Sequence, residues 1–124
     1  MRGLTLDTGA LIALERRRQR IREILEHALA EDQRITVPAD VIGEWWRGRT
    51  DVRERILESV DVEPLSEALA KIAGEALASV KGATLVDAIV MASAASRGDR
   101  VYSSDVADLE RLRRHFPSVR VLGV

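Results

Sequence analysis

Short apolar runs alternate with longer helical periods along this chain, and that alternation restricts the fold more than any other feature. Runs with strand character stand at 4–6, 34–37, 60–65, 100–103 and 119–124. Between them Ile21, Ile24, Leu25, Ala28 and Leu29 recur at spacings of three and four, as do Leu69, Ile72, Ala73, Ala76, Leu77 and Val80. That spacing marks an amphipathic helix. Strands that take turns with helices build a parallel sheet covered on both faces, because each parallel connection has to cross over. The expectation is an α/β, three-layer fold with a mostly parallel central sheet of about five strands flanked by helices.

Boundary signals agree with this reading. Pro38 suits the first turn of a helix after Val37, Ser66 can cap the next, and Gly82 can end it. Gly98 closes a helix that begins near Thr84. With 124 residues and no linker, repeat or low-complexity stretch, a single domain over 1–124 is expected. Asp7 comes too early for a signal peptide, and no apolar run approaches the roughly 20 residues of a membrane span. A cytoplasmic protein is the expectation.

Composition narrows the chemistry. The chain has no cysteine, which excludes disulfides and thiolate metal sites, so any metal must be held by oxygen or imidazole. His27 and His115 are the two imidazoles, each isolated in sequence, and both read as surface or packing residues. A net charge of −1 provides no overall field to attract nucleic acid, so attraction has to come from local patches. All the basic residues except Lys71 and Lys81 are arginine. That bias suits phosphate recognition, but base composition of the gene is the preferred explanation.

Five acids occupy points where an apolar run stops or a helix begins: Asp7, Glu44, Asp87, Asp105 and Asp108. Each has a structural reading. Asp7 and Asp105 can cap helices, Thr84 with Asp87 has capping-box spacing, Asp108 suits a first turn, and Glu44 can pair with Arg47 one turn on. Capping does not explain why strand ends and helix starts together supply so many acids. In open parallel sheets the functional crevice lies at the carboxyl ends of the strands, so Asp7 and Asp105 point to one space. Crowded carboxylates raise one another's pKa unless a divalent cation neutralises them, and all-oxygen ligands favour Mg²⁺ or Mn²⁺. Such ions serve phosphodiester hydrolysis.

The segments Leu4-Thr5-Leu6-Asp7-Thr8, Val37-Pro38-Ala39-Asp40-Val41-Ile42-Gly43-Glu44, Leu85-Val86-Asp87-Ala88-Ile89 and Tyr102-Ser103-Ser104-Asp105-Val106-Ala107-Asp108-Leu109 together resemble the PIN domain. Their order, spacing and the chain length resemble the VapC-type toxins of toxin-antitoxin pairs. The resemblance implies a PIN-like fold and a Mg²⁺- or Mn²⁺-dependent endoribonuclease that leaves 5′-phosphate and 3′-hydroxyl ends. It implies Asp7, Asp87 and Asp105 as metal ligands, with Glu44 and Asp108 completing the catalytic set by binding a second metal or orienting water. Thr8 and Ser103 are the supporting hydroxyls. The partners it implies are an RNA substrate, a cognate VapB-type antitoxin and a second copy in a homodimer, with no membrane.

Arg17, Arg18, Arg47 and Arg97 are candidates for holding the RNA backbone, and the run from Glu15 to Arg20 reads as the solvated start of the helix carrying Ile21 and, compatibly with that, as a phosphate-contacting patch. Of Trp45 and Trp46, one is expected to pack inward and the other to cover a helix edge or form a binding patch. Asp7-Thr8-Gly9-Ala10 matches an aspartic-protease signature, but those proteases are nearly all β and have no use for Glu44, Asp87 and Asp105. A receiver-type domain wants adjacent acids after the first strand and a late lysine, and neither is present. The remaining alternative is a catalytically inactive PIN-like module that binds RNA or protein.

Overall fold

The structure, a computed structural model, describes residues 2–124. Five strands form one sheet: β1 Leu4–Leu6, β2 Ile35–Pro38, β3 Asp61–Glu63, β4 Arg100–Ser103 and β5 Val121–Gly123. All lie within two residues of the runs read from the sequence. Their spatial order is β3-β2-β1-β4-β5, and every neighbouring pair is parallel, so the sheet is wholly rather than mostly parallel. The helices are α1 Thr8–Glu15, α2 Gln19–Ala30, α3 Ala39–Trp45, α4 Asp51–Glu58, α5 Glu67–Ser79, α6 Leu85–Arg97 and α7 Val106–Leu112. Among the described residues none is long and apolar enough to cross a membrane.

The strand order dictates the layers. The chain steps outward from β1 to β2 to β3, then returns past β1 to β4 and β5. Right-handed crossovers put the helices of the outward leg on one face and those of the return leg on the other. Accordingly α1 packs with α2, α3 and α4, while α6 packs with α5 and α7. Between β1 and β4 the connections leave in opposite directions, and a crevice opens at the carboxyl ends of those two strands. Leu4, Leu6, Val37 and Val101 on the strands and Leu11, Ile21, Ile89, Met91 and Leu109 on the helices are fully buried in the core between the layers. Each such side chain contributes about 1.5–3 kcal/mol of burial free energy.

Local signals hold at most boundaries. The Ser66 hydroxyl accepts from Leu69 N and the Thr84 hydroxyl from Asp87 N, both at 3.1 Å, and Gly98 ends α6 in the left-handed region at φ 72°. Three boundaries differ from expectation. Pro38 ends β2 opposite Glu63 and precedes α3 in extended geometry, rather than occupying the helix's first turn. Helix α5 stops at Ser79, and Gly82 lies in the turn that follows. The run from Glu15 to Arg20 supplies the exposed first residues of α2, Gln19 and Arg20, as expected, but Arg16 to Arg18 form a corner after α1. Arg17 N and Arg18 N return to the carbonyls of Leu14 and Ala13 at 3.0 Å, and Arg17 takes φ 57° to turn the chain. Helix α4 is an element the sequence reading did not anticipate. Its apolar side chains are few, and the Thr50 cap on Arg53 N at 3.1 Å starts it.

Candidate active site

Asp7 and Asp105 flank the crevice between β1 and β4. Asp7 leaves β1 with its N–H on Tyr102 O at 3.3 Å, and its Oδ1 caps α1 by accepting from Ala10 N at 2.9 Å. Asp105 stands at the start of α7, where its carboxylate makes no capping bond. Its backbone N–H instead donates to Ser103 Oγ at 2.8 Å, so the buried Ser103 holds the loop while the carboxylate stays exposed. The expected capping role of Asp105 is therefore not realised. Gly9 shows how closely the two acid-bearing segments meet: a Cβ there would lie 1.8 Å from Ser104 Oγ and 2.7 Å from Ser104 Cβ.

Two further elements deliver acids to the same end. Asp87 lies in the first turn of α6 behind its Thr84 cap. Glu44, read from sequence as a mid-helix acid, is the penultimate residue of the short α3, where the helix dipole disfavours a negative charge. It does not pair with Arg47. Its Oε1 accepts from Thr8 Oγ1 at 2.5 Å, tying α3 to the start of α1. Asp108, in the first turn of α7, has Arg111 at 3.7 Å.

Burial and mutual repulsion act together on these carboxyls. The Asp7 carboxyl lies above its ordinary range, first because it is buried, and further because Asp87 and Asp105 repel its charge. Hydrogen bonds from Ser103 and Ala10 only partly oppose that rise. Asp87 is raised chiefly by burial, against the Thr84 hydrogen bond, and by repulsion from Asp108, Asp105 and Glu44. Asp105 is raised first by its hydrogen-bonding contact with the Asp108 carboxyl and further by repulsion from that charge, against the attraction of Arg111. None of Asp7, Glu44, Asp87 and Asp105 has an ion-pair partner among the described residues.

A divalent cation suits that donor set, since every donor is an oxygen and the charges lack internal compensation. Among the described residues no three acidic or histidine side chains stand close enough to form a ready-made ion site. Joint coordination therefore calls for side-chain rotation, which the exposed Glu44 and Asp105 permit.

Asp40 is a member of this region that the sequence reading passed over. Both its carboxylate oxygens are buried without a hydrogen-bond partner. Burial raises its pKa first, and repulsion from Glu44 and Glu63 adds to the rise. In the sequence it looks like an ordinary first-turn acid, and only the packing of α3 over the sheet makes it unusual.

Two arginines proposed for RNA make hydrogen bonds within the protein, Arg97 in a largely buried network and Arg47 at the exposed end of α3. Arg97 donates to Glu63, Asp99, Thr5 and Ser93 and is largely buried. Arg47 donates to the carbonyls of Gly43 and Trp46 at the end of α3. Trp45 packs inward, 3% exposed, with Nε1 on Glu15 Oε1 at 2.9 Å, while the half-buried Trp46 meets it edge-on. His27 and His115 lie away from the acids, His115 beside Ser79 and Phe116.

The fold and the sequence both have relatives. The chain superimposes on DNA-bound VapBC from Salmonella typhimurium at a TM-score of 0.76, with 18% identity over 99% of this chain and 98% of the other. VapBC2 from Rickettsia felis, bound to a DNA fragment from its promoter, gives 0.77 with 12% identity over 98% of both chains. FitAB bound to an IR36 DNA fragment gives 0.70 with 20% identity, over 97% of this chain and 94% of that one. At these identities the likeness shows the fold. None of the curated proteins compared is similar in sequence. The PIN domain profile matches residues 4–114, which span all five acids, and members of that family are generally nucleases that use divalent metal ions. This chain belongs to the PIN domain family.

Proposed function

We propose that this protein is a Mg²⁺- or Mn²⁺-dependent endoribonuclease that hydrolyses RNA phosphodiester bonds and is restrained by a cognate VapB-type antitoxin. The observation that carries the reading is the meeting of Asp7, Glu44, Asp87 and Asp105 from four separate elements, with mutual repulsion and no ion pair of their own among the described residues. A fold tolerates such a cluster at a cost in stability, and a function that needs it accounts for the cost.

Asp7, Asp87 and Asp105 are the residues that would hold the cation, with Glu44 and Asp108 at its margin. When bound, the ion supplies a water of lowered pKa and stabilises the charge that builds on the phosphate. Thr8 Oγ1 occupies Glu44 Oε1, leaving Oε2 free to take a proton from the attacking water. Ser103 fixes the Asp105 backbone, so that carboxylate turns without moving the loop. The toxin-antitoxin part rests on the structural likeness to VapBC and FitAB assemblies, and a homodimer belongs to the same reading.

Asp7→Asn and Asp87→Asn proteins should fold and lose Mg²⁺- or Mn²⁺-dependent RNA cleavage by more than the 10- to 100-fold typical of losing an outer partner of a metal. Full cleavage by both variants sinks the assignment. Growth inhibition on expression, relieved by coexpressing the neighbouring antitoxin gene, tests the regulatory part. The spacing of the acids, no three of which form a ready-made ion site among the described residues, favours one rival, a noncatalytic PIN module that binds RNA or protein. That rival predicts RNA left intact with either ion and no effect of chelation.

A further inference from the structure

Arg16, Arg18 and Arg20 line a groove of about 600 Å³ closed by Gly9, Ser104 and Val124. Ser104 immediately precedes Asp105 and Gly9 lies two residues after Asp7, so the groove opens beside the acids. Its lining contains three arginines and no Asp or Glu side chain. All three arginines are exposed, and none is in an ion pair among the described residues. Arg20 Nε donates to Gly123 O at 2.9 Å, which fixes its stem over β5 and leaves its terminal nitrogens free.

The corner between α1 and α2 selects these side chains from the basic run. With Arg17 at φ 57°, Arg16 and Arg18 serve the groove, whereas Arg17 joins Arg22 and Arg55 along a different surface beside Leu14 and Leu25. Negative charge in the crevice repels a phosphate that approaches alone. Unpaired guanidiniums next to the crevice reverse that balance, and their forked donors match phosphate oxygens. The groove has the dimensions of a single-molecule pocket rather than a broad duplex-binding face. Its lining has no aromatic side chain on which a base could stack, so contact falls on the backbone.

We infer that this groove binds the phosphodiester backbone of single-stranded RNA next to the bond that is cut. The inference rests on the nuclease reading and adds the path of the strand. Binding through it should be indifferent to base sequence and sensitive to salt.

The test is a fluorescence-anisotropy titration of a labelled, unstructured RNA oligonucleotide onto Asp7→Asn protein between about 50 and about 200 mM salt. Adding Arg16→Gln and Arg18→Gln should make the slope of log affinity against log salt shallower by about 1.4, two contacts at about 0.7 each for a single strand. Arg22→Gln with Arg55→Gln, on the other surface, should leave the slope unchanged. In the catalytic parent, the groove pair should raise KM while kcat holds. Equal slopes with and without the groove arginines overturn the inference, as does a groove pair that loses binding of a partner polypeptide but keeps the RNA slope. If the parent cleaves no RNA, the nuclease reading fails, and the slope still decides the groove.

Discussion

Around Arg97, two carboxylates and two hydroxyls converge on one guanidinium, with Asp99 at 3.0 Å, Glu63 at 2.5 Å, and Thr5 and Ser93 at 2.8 Å. Gly3 N and Thr5 Oγ1 also donate to Asp99, so β1, β3, α6 and the start of β4 are tied together. At the carboxyl ends of β1 and β4, Asp7, Asp87, Asp105 and Glu44 converge with no ion pair among the described residues, and only Arg111, paired with Asp108, eases the charge on Asp105. The two regions use the same kinds of side chain for different ends. Where charges are matched and hydrogen-bonded the network is structural. Where they are unmatched, the molecule keeps an electrostatic demand that a cation or a substrate can meet.

The contrast is broken most forcefully at Arg97. Arg97→Met leaves Asp99, 3% exposed at its side chain, without its cation and should cost about 3–5 kcal/mol in urea unfolding. Asp7→Asn should cost little by the same measurement, because it removes an unmatched charge and asparagine caps a helix as well as aspartate. If the two variants lose stability equally, the division between matched and unmatched regions is wrong. Gly9→Ala comes next. The added methyl meets Ser104, so overpacking of about 1–3 kcal/mol is expected, together with weaker RNA cleavage as α1 is pushed from the loop bearing Asp105. A variant with parental stability shows that the Gly9 contact is not a constraint.

The smallest effect should be seen at Asp40, which sits between the two regions. Its raised pKa means that the folded chain holds this proton more tightly than the unfolded chain does. Stability therefore falls as pH climbs from the ordinary 3.8 through the raised value, and the loss is complete above it. Asp40→Asn should flatten part of that fall while leaving the contribution of Asp7 and Asp87. Parallel stability–pH curves for parent and variant contradict the assignment of an unpartnered, buried carboxyl.

Much of this was legible in the sequence because it depends on local patterns. The apolar period marks the five strands and the longer helices, Ser66 and Thr84 announce their helix starts, and the acids of the PIN motifs stand at strand and helix ends. Helix α4 was not legible, since its few apolar side chains leave little periodic signal beside the charges. The corner at Arg17 was hidden because only a glycine or asparagine there would have advertised the left-handed turn.

Glu44, Arg97 and Asp40 mark the limit from the other side. Glu44 next to Arg47 reads as a pair within one helix, yet its partner is Thr8, 36 residues away in the chain. Arg97 reads as a free surface charge until Glu63 and Asp99 are brought to it from β3 and the start of β4. The sequence by itself determined the parallel α/β class, the strand positions and the candidate acids, because periodicity, caps and motif order are properties of neighbouring residues. Tertiary structure alone decided which charges are matched and which are left to face the crevice. That choice depends on strand order, and a charge learns its partners only when distant elements pack.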